Sequence, residues 1–132
     1  MITEDYVSFE TAKLLKEKGF NEGCSFVVNA ESKGVMSVSW STTNSDIEDE
    51  RANLIALPTL QMAMKWLREV HNFNINIELT IHGYFCSLSH IVRDSSGYII
   101  DIEDSEAWET AYCDSYEESC EAAIKYCLEN LI

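Results

Sequence analysis

Apolar side chains recur at intervals of three and four residues in three segments of the chain, residues 8–20, 58–72 and 115–131. This spacing places them along one face, which is typical of amphipathic helices. In the last segment, Ser115 and Glu118 form the S-x-x-E pattern of a capping box, which marks the start of a helix. We therefore predict three helices, one near each end of the sequence and one in the middle.

Alternating apolar and polar side chains predict strands in the remaining segments. The clearest alternation runs through residues 73–81, and we place a two-residue turn at His82-Gly83 after it. That turn would pair Tyr84 with Ile81 across a hairpin. The other predicted strands are an earlier hairpin at residues 24–41, a strand at 98–102 and a further one at 108–113. Residues 42–53 are polar and acidic, which predicts a long surface loop.

These elements predict a single α+β domain over residues 1–132, with the order α-β-β-α-β-β-β-(β)-α. Short connections favour antiparallel pairing of neighbouring strands. We expect one antiparallel sheet of five to six strands, with the three helices packed mainly on one face.

The charge balance narrows the range of partners. The chain has 23 acidic and 9 basic residues, for a net charge of −14. Because binding to phosphates depends on basic side chains, this excess argues against direct contact with nucleic acid. It argues against anionic membrane surfaces for the same reason. Two interpretations stay open, since carboxylates can simply promote solubility or can attract a basic protein partner.

The five cysteines lack the C-x2–4-C spacing of zinc sites. Cys120 and Cys127 lie seven residues apart on the apolar face of the last predicted helix, so we interpret them as small buried hydrophobic residues. We predict no metal and no cofactor. Two alternatives stay open, a metal site assembled from Cys86, His90 and Cys113, and a nucleophilic pair of Cys24 with a histidine.

The start of the sequence indicates where the protein resides. Residues 1–9 lack the basic region and apolar run of a secretory signal, and no window approaches 18 uncharged apolar residues. We therefore expect a cytoplasmic protein with reduced thiols.

Two acidic clusters, residues 46–50 and 101–106, contain enough oxygen atoms to bind a cation. Neither has the ligand order of an EF-hand, so we interpret both as solvated loops. Tryptophan is enriched in protein interfaces, and Trp40 and Trp66 are the candidates for such a role. The helix at residues 58–72 also gathers three basic-type side chains, Lys65, Arg68 and His71.

Three segments of the sequence resemble a family of short proteins encoded by Bacteroides-type gut bacteria, often in phage-like or mobile regions. The resemblance rests on YVSFETAKLLKEKGF at residues 6–20, PTLQMAMKWLREVHN at 58–72 and SYEESCEAAIKYCLENLI at 115–132, and it leaves out residues 24–57. It implies a bacterial or phage protein of the cytoplasm and brings no activity, cofactor or catalytic residue with it.

We predict a small acidic protein-interaction module that is not an enzyme and that serves as an accessory factor of a phage or mobile element. Two other hypotheses stay open, a small-molecule binder or enzyme with a dispersed site, and a homo-oligomeric structural component. The expected partner is a protein with a basic surface, and a homodimer is compatible with the sequence. The candidate interaction residues are Trp40, Asp46, Glu48, Asp49, Glu50, Lys65, Trp66, Arg68 and His71.

Overall fold

The computed structural model describes residues 2–47, 53–104 and 112–132. They form α1 (Phe9–Glu17), β1 (Cys24–Asn29), β2 (Val35–Thr42), β3 (Leu54–Ala56), α2 (Leu60–Val70), β4 (Phe73–Thr80), β5 (Gly83–Arg93), β6 (Ile99–Asp104) and α3 (Tyr116–Asn130). The chain divides into two compact units, Met1–Leu60 and Gln61–Ile132. Among the helices of these three ranges, none is long and apolar enough to cross a membrane.

The first unit contains an antiparallel sheet in the order β2-β1-β3. β1 lies in the middle, and its neighbouring residues Val27 and Val28 are both buried, so both faces of this strand are covered. α1 contacts β3, which is buried along its whole length. Buried Asn44 stabilises this region, because its Nδ2 donates to the Phe20 carbonyl at 2.7 Å and its Oδ1 accepts from the Ala56 amide at 2.9 Å.

The predicted first helix is confirmed, together with the residues that begin and end it. The Ser8 hydroxyl accepts a hydrogen bond from the Thr11 amide, as an N-cap does. Gly19 has a φ of +93°, a left-handed conformation that ends the helix at little cost. Phe20 is buried, and its amide donates to the Leu15 carbonyl at 2.9 Å.

The second unit contains an antiparallel sheet in the order β4-β5-β6, and α3 packs against β4 and β5. Cys86 and Leu88 on β5 are buried, as are Cys120 and Cys127 on α3. The interpretation of the two α3 cysteines as small buried residues is therefore confirmed. As predicted, α3 begins at a cap, where the Ser115 hydroxyl accepts from the Glu118 amide at 3.1 Å.

The predicted class, α+β with three helices, is confirmed, whereas the single sheet of five to six strands is wrong. The described strands form two sheets of three, in the chain order α-β-β-β-α-β-β-β-α. The prediction missed β3, because three residues are too few to show alternation. β3 pairs with β1 on the side opposite β2, and this pairing completes the first sheet before the chain enters α2.

The predicted hairpin between β4 and β5 exists, but its register was wrong by two residues. Thr80 pairs with Gly83, so the turn consists of Ile81 and His82 and leaves Ile81 exposed. Gly83 has a φ of +118°, which permits the chain to reverse one step earlier than predicted. Of the strand predicted at 108–113, residues 108–111 lie outside the described residues, and Cys113 forms an isolated bridge with Tyr84.

Candidate functional site

The most exposed strand of the second unit is β6, one of the two outer strands of its sheet. All six of its residues are exposed, with 64% of Ile100 and 60% of Ile102 accessible. Tyr98, directly before the strand, is 73% exposed. Exposed isoleucines on an outer strand are unusual, because such edges are templates for pairing with another chain. We refer to residues Tyr98–Asp104 as the acidic edge.

A hydrogen-bonded turn holds the acidic edge in place. Oδ1 of Asp94 accepts from the Ser96 amide at 2.9 Å and from the Tyr98 amide at 3.0 Å. Arg93 fixes the turn from the other side, because its Nε donates to Asn72 Oδ1 at 2.8 Å and its Nη1 donates to the Gly97 carbonyl at 3.1 Å. The start of β6 is therefore set by side chains that precede it in the sequence.

The backbone of β6 presents hydrogen-bonding groups away from the sheet. The Ile91 amide donates to the Asn72 carbonyl, so Ile91 directs its backbone groups toward β4. Ile91 lies opposite Ile102, and backbone direction alternates along antiparallel strands. The amide of Ile102 therefore points away from β5. It donates to the neighbouring Asp101 Oδ1 at 2.8 Å, so a side chain covers this outer amide.

The carboxylates of β6 lie on both faces of the sheet. Asp101 and Glu103 lie on one face, opposite Val92 and His90, and Asp104 lies on the other. Glu103 Oε2 is 3.7 Å from the His90 Nδ1, and Asp104 accepts from a serine hydroxyl on β5. Among the described side chains, no lysine or arginine forms a salt bridge with these three carboxylates.

The interpretation of residues 101–106 as a solvated loop is wrong for 103–104, which belong to β6, whereas the strand predicted at 98–102 is present from residue 99 onward. The sequence feature that could have located this edge is a stretch of acidic residues with no basic residue among them. Residues 94–124 contain ten aspartates and glutamates and no lysine or arginine. Within this stretch, three isoleucines alternate imperfectly with acids, which is the pattern of an exposed strand rather than a loop.

Of the predicted interaction residues in the first unit, Trp40 lies on β2 and is 72% exposed. Asp46 is exposed and forms a local turn, because its Oδ2 accepts from the Thr43 amide at 3.0 Å. That bond, with a second one from Thr43, lowers the pKa of the Asp46 carboxyl. Glu48, Asp49 and Glu50 lie outside the described residues.

The predicted residues on α2 and directly after it do not converge on one site. Lys65 is exposed, and Arg68 Nε lies 3.8 Å from a carboxylate oxygen of the adjacent Glu69. Trp66, a candidate for an interface role, is only 5% exposed and belongs to the core. The rings of Trp66 and His71 meet edge to face at 4.6 Å. Burial lowers the pKa of His71, whose Nε2 is buried and has no hydrogen-bond partner within the described part of the chain.

The thiols are poorly suited to nucleophilic chemistry. Burial, reinforced by the charge of Glu22, raises the pKa of Cys24 to about 11. Burial also raises the pKa of Cys86 and of Cys127 to about 12 and that of Cys120 to about 11. Since the thiolate is the reactive form, these four groups are inert at neutral pH. In the three described ranges, no cluster of three or more His, Cys, Asp or Glu could hold a metal ion.

A depression in the first unit is a concave feature that a small molecule could occupy. Its volume is about 310 Å³, and it lies at the end of α1. The residues that line it are Lys16, Gly19, Phe20, Asn21, Asn44 and Ser45. Lys16 is its single titratable residue, so it offers no acid–base pair for catalysis.

Comparison of the chain with known protein families, curated proteins and solved structures gives no match. The resemblance to the Bacteroides-type family stays a prediction. Function is therefore inferred from the residues of the site and their geometry.

Proposed function

We propose that the protein is a small, non-enzymatic interaction module that binds an extended, basic segment of a partner protein along its acidic edge. The observation that carries this proposal is the combination of exposed isoleucines, three carboxylates and outward-facing backbone groups on one outer strand. The resemblance noted above supports a role as an accessory factor of a phage or mobile element in a bacterial cytoplasm.

The partner segment would add a fourth strand to the sheet β4-β5-β6. In strand addition, backbone hydrogen bonds supply affinity, and alternate side chains supply specificity. Lysine or arginine would lie across from Asp101 and Glu103 on one face, and an apolar side chain would lie across from Ile102 on the other. Each cross-strand pair of opposite charge contributes about 0.2–1 kcal/mol, so two or three such pairs select a basic strand.

Charge distinguishes such a partner from a second copy of this chain. Pairing β6 with another β6 would bring two sets of carboxylates together, and like charges directly opposite destabilise a strand pair. The net charge of −14 adds a long-range repulsion between copies and a long-range attraction for a basic segment. The acidic edge therefore favours binding to a different, basic chain.

The side chain of Asp101 protects the edge from non-specific strand pairing. Its Oδ1 accepts from the Ile102 amide, which an incoming strand would otherwise use. Charged side chains on edge strands are a common protection against non-specific pairing. A basic strand can displace this bond, because it offers the Ile102 amide a backbone carbonyl and offers Asp101 a lysine or arginine.

A peptide titration tests the proposal. The probe is a short labelled peptide of alternating lysine and valine, followed by fluorescence anisotropy at low and high salt. We expect saturable binding that weakens as salt rises, and no binding of a peptide in which glutamate replaces lysine. Equal binding of the lysine and glutamate peptides would contradict the proposal.

Two variants locate the binding on β6. Ile102→Pro removes an amide that points away from β5, so it leaves the β5–β6 bonds in place and should abolish strand addition. The double variant Asp101→Lys with Glu103→Lys should weaken binding by about 10-fold or more. The double variant Glu4→Lys with Glu17→Lys changes the net charge equally at two exposed glutamates of the first unit, so it serves as the matched control.

A further inference from the structure

The outer strand β2 of the first unit exposes apolar side chains as the acidic edge does, but it carries no charge. We propose that β2 is a self-association surface, on which the β2 strand of a second copy pairs antiparallel to form a continuous six-stranded sheet. This inference is independent of the function proposed for β6. It rests on the backbone direction of β2, on the exposed Trp40 and on the absence of charge along the strand.

The backbone of β2 offers hydrogen bonds on its outer side. The Leu57 amide donates to the Phe26 carbonyl, so Phe26 directs its backbone groups toward β3, and the next residue, Val27, faces β2. Val27 lies opposite Met36, so Met36 faces β1. Because backbone direction alternates along a strand, the amide of Ser37 points away from the sheet. There a backbone carbonyl of a second strand can accept its hydrogen bond.

A bulge in β2 presents Trp40 to solvent. From the pair Phe26↔Ser37 to the pair Cys24↔Thr42, the chain covers two residues along β1 and five along β2. A side chain at position 23 would occupy the space of the Ser41 side chain. Gly23 has no side chain, so it leaves the serine in place. Bulges redirect side chains, and here the result is a tryptophan with 72% of its surface exposed.

The lack of charge along β2 favours a second copy of the chain over a basic partner as the occupant. Residues 34–45 contain no charged side chain, although the chain as a whole carries −14. Two copies can therefore meet along β2 without placing carboxylates opposite each other. A basic partner would gain nothing from this strand that it does not gain more strongly from β6. An antiparallel pair of identical strands has a twofold axis, which is the commonest symmetry of homo-oligomers.

The expected contact is modest in size. Each buried tryptophan contributes about 150–250 Å², and stable interfaces bury about 1,200 Å² or more in total. Two tryptophans supply about 300–500 Å², and Met36 and Val35 are each only about half exposed, so a β2 pair lies below that limit. We therefore expect a weak dimer in reversible exchange with monomer.

Sedimentation velocity of the full chain over a range of concentrations tests the inference. The wild type should shift from monomer to dimer as concentration rises. Trp40→Ala should raise the dissociation constant by about 10-fold or more, since central tryptophans dominate interface energetics. Ser37→Pro should remain monomeric at every concentration, whereas Ile102→Pro should dimerise like the wild type.

A wild type that stays monomeric throughout would overturn the inference, as would a dimer that Trp40→Ala and Ser37→Pro leave unchanged. Ser37→Lys provides a second disruption in case the proline variant unfolds, because it places a like charge on both copies of the strand. Circular dichroism before each run shows whether the variant is folded. A dimer in which Ser37→Lys associates as tightly as the wild type would also contradict the assignment.

Discussion

β2 and β6 are both outer strands of three-stranded antiparallel sheets, and both expose large apolar side chains. They differ in charge. β6 carries three carboxylates in six residues, whereas β2 carries none in eight. They also differ at their outward-facing amides, because on β6 the Asp101 side chain accepts a hydrogen bond from the Ile102 amide.

This difference shows how one acidic chain can separate two kinds of contact. An edge with carboxylates repels copies of itself and attracts basic strands, whereas an uncharged edge can pair with an identical strand. The same exposed backbone therefore serves different partners according to the side chains that flank it. One of the predictions below neutralises the acidic edge, and the others test the unit that contains it.

The largest expected effect comes from a substitution at Gly83, the first residue of β5. Gly83 has a φ of +118°, and a side chain there would lie 2.6 Å from the Cys113 carbonyl oxygen. Gly83→Ala should therefore disrupt the Tyr84–Cys113 bridge and destabilise the protein by about 2–4 kcal/mol, measured by urea unfolding. Gly97→Ala is the control, because Gly97 also has a positive φ but has open space around it. Equal losses for both variants would contradict this account.

Neutralising the acidic edge should make it behave like β2. The triple variant Asp101→Asn, Glu103→Gln and Asp104→Asn keeps the shape of the side chains and removes their charge. We expect binding of the lysine–valine peptide to weaken by about 1–3 kcal/mol, measured by calorimetry. We also expect new self-association in light scattering, because exposed isoleucines lose their charged neighbours. A triple variant that binds the peptide as the wild type does would show that the carboxylates play no part.

Alkaline pH should destabilise the second unit more than the first. Burial raises the pKa of Cys86, Cys120 and Cys127, so the folded state keeps these thiols protonated while the unfolded state ionises near pH 9.0. Their contribution is complete below pH 9.0 and is lost as pH rises toward 12, by about 1 kcal/mol per pH unit for each thiol. Urea unfolding on either side of pH 9.0 measures the slope, which Cys127→Ala should reduce.

The smallest effect should come from His71 at mildly acidic pH. Burial lowers its pKa, so the folded state favours the neutral ring, and protonation favours unfolding. The sign is therefore a loss of stability as pH falls below the usual histidine value of 6.5. His71→Phe should flatten this part of the pH profile, and a substitution of the exposed His82 to Gln should not. A profile unchanged by His71→Phe would contradict the assignment.

Sequence reasoning located all three helices, because their periodic apolar positions and caps are local signals. It located β4 and β6 for the same reason, but it could not divide the strands between two sheets. That division depends on the pairing of β3 with β1, and β3 has too few residues to signal itself. The site was harder to predict. The sequence marks Trp40 as a candidate, yet its exposure depends on a bulge that only the pairing register reveals.

The most direct test of the acidic edge is amide exchange of the full chain, followed by NMR, with and without the lysine–valine peptide. Strand addition should protect the amide of Ile102, which faces away from β5, and should leave the amide of Ser37 unchanged. That result would locate the peptide on the outer side of β6. Protection confined to the depression around Lys16 and Asn44, or to β2, would contradict the proposed function.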